Sequence, residues 1–175
     1  MNELIKFIVL ALRQITTPRY FISERGFAAE FYCQLRDQLK GSTIFPEHAI
    51  LESEVQKRVS PHGIRQRPDI IIHIPVETDY TENVNQNNFV VFAFKLDGDV
   101  GKVEEDFGKL DEMISYLNYH NGVFINIGSY PTVNLLEYKG NYQSQIHDFS
   151  IRLQNGNVEI LHSFFRNGEV VSEEK

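Results

Sequence analysis

The chain has 175 residues, 42% hydrophobic and 23% charged, which is enough to bury a core without disulfide or metal staples and excludes a disordered or fibrous class. Its single cysteine, Cys33, rules out an intramolecular disulfide, and its six histidines show no Cys/His spacing suited to structural zinc. A net charge of −7 argues against broad capture of polyanions by phosphate neutralisation.

Residues 2–15 read as a helix, with Leu4, Ile8, Ala11, Leu12 and Ile15 at helical spacing. Lys6 interrupts the apolar run Leu4–Leu12, no small-residue cleavage site follows, and the run is far short of the roughly 20 residues that span a bilayer. It reads as a buried or docking helix, and the chain as cytoplasmic (intracellular) with no membrane partner. After a loop with Pro18, a second helix is expected from Gly26 to Leu39, where Phe27, Phe31, Leu35 and Leu39 step by four, with Gly41 as the stop. His48–Val59 reads as a strand and Ser60–Arg67 as a turn-rich segment. Residues 68–75 and 88–96 are β-branched and aromatic runs that read as buried strands, separated by a polar stretch over Thr78–Asn88. Lys102–Leu117 returns to helix, with Val103, Phe107, Leu110, Ile114 and Leu117 on one face. Residues 122–128 form another buried strand, Pro131–Tyr142 carries no clear period, and the last segment reads as a hairpin with Asn155-Gly156 at its tip. The expected architecture is a mixed α/β (α+β) sheet flanked by helices, in one domain spanning 1–175.

Chemistry concentrates on the two central strands. Residues two apart share a strand face, so Asp69, Ile71 and His73 point one way, and Ala93 and Lys95 share a face in the next strand. Paired as a hairpin closed by residues 75–88, the strands bring Asp69 opposite residues 93–95. A carboxylate and a lysine near a sheet end suit a hard divalent cation and the water it would bind. The lysine there would orient or help deprotonate an attacking water, or stabilise charge on a phosphate. His73 lies more than about 10 Å further along the strand and reads as a core or rim histidine.

Arg67-Pro68-Asp69 with its isoleucine run, then a strand ending Ala93-Phe94-Lys95, resembles the core of the PD-(D/E)xK, restriction-endonuclease-like nucleases. The helix carrying Glu30 before these strands and the helix 102–117 after them match that family's α-β-β-β-α-β order, over about residues 20–130, with an added N-terminal helix and C-terminal hairpin. The resemblance implies Asp69 as a metal ligand, Lys95 as the catalytic lysine, Glu30 as a helix-borne acid, and the backbone carbonyl of Phe94 as a further ligand, with one or two Mg²⁺ (or Mn²⁺) ions. The family pattern has Glu or Asp where this chain has Ala93, so the sequence reads as an inactivated Glu-to-Ala form of the site.

The expectation is a metal-dependent nuclease acting on DNA, inactive as written, with Arg67, Lys102 and Lys109 placed to meet phosphates. The alternative is a natural pseudo-nuclease serving as a protein- or nucleic-acid-binding module. The lack of a separate recognition domain points to a homodimer or a larger complex for targeting.

Overall fold

A computed structural model describes residues 2–53, 67–75, 87–128 and 130–175. Helix α1 spans Asn2–Gln14 and α2 spans Glu24–Leu39. Strands β1 (Ile50–Ser53), β2 (Ile70–His73) and β3 (Asn88–Leu96) follow, then α3 (Val100–Leu117) and β4 (Asn121–Ile127). The chain closes with β5 (Ile146–Gln154), β6 (Asn157–Arg166) and β7 (Glu169–Glu174). These strands form one seven-stranded sheet in sequential order. The pairs β3–β4 and β4–β5 are parallel and the rest antiparallel, so the sheet is mixed.

Each face of the sheet buries a different set of helices. The even residues of β2 and β3 (Ile70, Ile72, Val90, Phe92, Phe94) meet Leu4, Ile8 and Leu12 of α1 and Phe27, Phe31 and Leu35 of α2. The odd residues (Ile71, Val91, partly Ala93) meet Val103, Phe107, Leu110 and Ile114 of α3. Burying β2 on both faces explains its unbroken isoleucine run.

Boundaries differ from the sequence reading: β2 is shorter than 68–75, at Ile70–His73, and α3 begins at Val100, two residues before Lys102, with Asp99 as its cap. Helix α2 begins two residues before Gly26, because the Ser23 side chain caps it by accepting from the Gly26 N–H at 3.2 Å. The strand expected over His48–Val59 is Ile50–Ser53 among the described residues, with 54–59 outside them, as are 60–66 of the turn segment and 78–86 of the polar stretch. The C-terminal hairpin gains a third strand, β7. Its turn, Asn167-Gly168 with φ of 55° and 82°, repeats the Asn155-Gly156 turn with φ of 51° and 80°, and both residues of each turn need the left-handed conformation that Asn and Gly tolerate. Among the described residues no helix is long and apolar enough to cross a membrane.

Candidate functional site

The β2–β3 register pairs Ile70 with Phe92, so Asp69, just before β2, stands across from Ala93. The Asp69 carboxylate accepts the Phe94 N–H at 2.8 Å. Burial pushes the Asp69 carboxyl up to about 6; the nearby acids Glu24 and Asp106 add to the rise, while the Phe94 N–H and Lys95 oppose it. Asp69 therefore exchanges its proton close to neutrality.

Lys95, on the face Asp69 occupies, is held by acids from two helices. Its Nζ lies 2.9 Å from Asp106 Oδ2 and 3.8 Å from Glu24 Oε2. Burial alone would lower its pKa, but the hydrogen bond and charge of Asp106, with Glu24, reverse this and leave it raised. Lys95 is thus a fixed ammonium, suited to stabilising negative charge rather than to removing a proton from water. Glu24 is positioned by the cap that starts α2, and its Oε2 also accepts the Leu96 N–H at 3.2 Å. Asp106 sits on the apolar stripe of α3, 4% exposed, where the Lys109 ammonium lies 2.9 Å from it and also pairs with Glu105 at 2.8 Å. A carboxylate so deeply buried needs such cations beside it.

The residues expected in the site divide accordingly. Asp69, Ala93 and Lys95 lie together. The Phe94 main-chain group seen to engage the site is its N–H, donated to Asp69. Glu30 instead accepts from Gln34 at 2.7 Å and bonds the Tyr20 hydroxyl, so the acid that α2 brings to Lys95 is Glu24. Lys102 pairs with Asp99, its neighbour at the exposed start of α3, at 2.7 Å. Lys109 belongs to the Asp106 cluster, and Arg67 lines a groove of about 450 Å³ with Glu24, Arg25, Tyr32 and Asp69. Glu77, an acid in the region of the missing carboxylate, lies outside the described residues. His73 is buried and bound to Glu52 at 2.6 Å. Glu24 escaped the sequence reading because the helix start was set two residues late. Asp106 had a usable signal, a lone acid three residues after Val103 on an apolar stripe.

The polar face continues across β4 and β5. Asn126 beside Lys95 accepts the Gly98 N–H at 3.2 Å and donates to Asn134 at 3.3 Å, and Asn134 donates to Asp148 at 3.1 Å. Asp148, which also accepts the Leu135 N–H at 3.2 Å, has its carboxyl pushed up to about 7 by burial, against the pull of these hydrogen bonds. The folded state then holds this proton more tightly than the unfolded chain. The resulting stability is full below the ordinary value of 3.8 and is lost as pH rises to about 7. Between pH 5 and 8 this amounts to about 3 kcal/mol. Urea titrations are expected to show the wild type losing that much more stability across the interval than Asp148→Asn.

The donor set for a divalent cation is incomplete. Asp69 has engaged one oxygen with Phe94 and Glu24 one with Leu96, Asp106 faces two ammonium groups, and position 93 brings no oxygen. Among the described residues no three His, Cys, Asp or Glu side chains converge to hold a metal ion. The residues as they stand do not fit a Mg²⁺ site. Compared with known proteins, the chain matches no family model, no curated protein and no solved structure.

Proposed function

We propose that this chain is a phosphodiester-handling domain of the PD-(D/E)xK nuclease type, acting on DNA, whose metal-dependent cleavage is silenced at Ala93. The observation that carries this reading is the Asp69 carboxylate bound to the Phe94 N–H, across from Ala93 and one residue from the ammonium of Lys95. The order α2, β1, β2, β3, α3, β4 around that point agrees with it. The groove beside Asp69, lined by Arg25 and Arg67, gives a phosphate chain a route to the site. The test is Mg²⁺-dependent cleavage of plasmid and single-stranded DNA by Ala93→Glu.

One observation favours a second reading, a non-catalytic binding module. Lys95 is enclosed by Asp106 and Glu24, an arrangement that also serves as a structural tie between β3 and the two helices. Under that reading Lys95→Ala lowers stability and leaves DNA binding unchanged. Under the first it also weakens DNA binding.

A further inference from the structure

A lysine has a long, flexible stem, and ion pairs near a surface hold such a side chain loosely. Packing along the stem of Lys95 adds a second constraint, and it comes from the turn that ends β3. A Cβ at Gly98 would stand 2.8 Å from Lys95 Cγ and 3.1 Å from Val103 Cγ2 of α3, inside the roughly 3.5 Å at which carbons ordinarily meet. Gly98 is thus a wedge between the lysine stem and α3 that fits because it has no side chain.

The wedge is tied down at two consecutive residues. Asp97 takes a left-handed φ of 47°, and its N–H donates to the Ile127 carbonyl of β4 at 2.8 Å. The Gly98 N–H donates to Asn126 Oδ1 at 3.2 Å. The Asn155-Gly156 and Asn167-Gly168 turns, by contrast, are exposed hairpin tips that follow from backbone preference. The Asp97-Gly98 turn is drawn into a buried polar network.

Asn126 can hold Gly98 because its own amide is fixed. The parallel register of β3, β4 and β5 sets Lys95, Asn126 and Ser150 side by side on one face. Asn126 is 3% exposed, and its Nδ2 donates to Asn134 Oδ1 at 3.3 Å and to Thr132 Oγ1 at 3.5 Å. Asn134 in turn donates to Asp148 Oδ1 at 3.1 Å and accepts from Thr132 Oγ1 at 3.1 Å. The Thr132 N–H is anchored on Ser150 Oγ at 2.8 Å. Turning the Asn126 amide over would set Nδ2 against the Gly98 N–H and Oδ1 against Asn134 Oδ1, losing both bonds. A buried amide with all its donors and acceptors engaged is costly to displace.

We infer that Asn126 and Gly98 are positioning residues for Lys95. The Asn126 amide holds the Asp97-Gly98 turn, and the turn holds the lysine stem so that its ammonium stays beside Asp106 and Glu24. What Lys95 then does rests on the phosphodiester reading; how it is held does not.

The test follows the Lys95 side chain in the full chain, without DNA or metal. Solvent exchange of the Nζ protons reports how firmly the ammonium is held, and side-chain carbon couplings report the rotamer. Gly98→Ala leaves every hydrogen bond of the network in place, and Asn126→Leu removes the amide at similar volume. Each is expected to speed exchange by about tenfold or more and to average the couplings over several rotamers. Asn126→Asp is expected to stay within about threefold of wild type, because burial keeps its carboxyl neutral. Its C=O then still accepts from Gly98 and its O–H donates to Asn134. Ile8→Val, in the core on the other face of the sheet, controls for general loosening and should change exchange by less than about twofold.

The inference is overturned if Gly98→Ala or Asn126→Leu falls short of the tenfold change, or if Asn126→Asp exchanges as fast as Asn126→Leu. It is also overturned if Ile8→Val speeds exchange as much as Gly98→Ala does. Gly98→Ala decides the question alone if Asn126→Leu does not fold. A failure of Ala93→Glu to cleave DNA leaves all of these outcomes standing.

Discussion

Replacing Ala93 with glutamate is expected to raise Mg²⁺-dependent cleavage of plasmid DNA by at least about 100-fold over the unaltered chain, the scale on which a single preorganised charge contributes to a reaction of this type. The register of β2 on β3 puts the new carboxylate across from Asp69 and on the face of Lys95. Two facing carboxylates supply the oxygen set that a hard divalent cation requires and that the present residues lack. The new acid also adds negative charge beside an Asp69 whose carboxyl already titrates at about 6, so without metal the Asp69 value is expected to rise further. Adding Mg²⁺ should bring it back down, giving a binding readout separate from cleavage. In the Ala93→Glu background, Lys95→Ala is expected to return cleavage to background. Glu24→Gln should reduce it by about tenfold or more, while Glu30→Gln changes it by less than about threefold, because of these two α2 acids it is Glu24 that reaches Lys95. No cleavage and no Mg²⁺ binding by Ala93→Glu would end the nuclease reading and leave the binding module.

The contrast between Glu24 and Glu30 shows what the sequence made legible and where it stopped. Periodicity found the apolar stripe Phe27, Phe31 and Leu35, and all three are fully buried. Periodicity is weakest at helix ends, where a cap rather than a stripe decides the start, and Glu24 lies in that first turn beside Ser23. Strand alternation foretold that Asp69 would face residues 93–95, because one face of each strand must meet a helix and a slip of one residue would invert the burial. It could not foretell Asp106 beside Lys95, since that contact depends on how α3 lies across the sheet. Asn134 and Asp148 were out of reach for the same reason: their hydrogen bond joins β5 to a segment with no period of its own. The strand β7 was within reach, because Asn167-Gly168 carries the same turn signal as Asn155-Gly156.

Truncating Phe31 to alanine is expected to destabilise the fold by about 3–5 kcal/mol, the range for removing a buried aromatic side chain. Phe31 is fully buried, with its ring 5.6 Å from Phe92 and 5.4 Å from Phe94, so it joins α2 to the strand that carries Lys95. The two ring pairs add to the loss beyond the area exposed. For a chain of this length the melting temperature should fall by about 10–15 °C, whereas Phe31→Leu, which fills much of the volume, should lose less than half as much. The effect reaches the site through the backbone. Phe94 donates the N–H that holds Asp69, and this bond favours the charged carboxylate. If loss of Phe31 loosens the Phe94 segment, the Asp69 carboxyl should titrate above its present value of about 6, which a ¹³C-detected pH titration reads directly. A fall in stability without that rise would show that β3 is held by its strand neighbours alone. A fall in stability together with that rise would show that the packing of α2 sets the charge of Asp69.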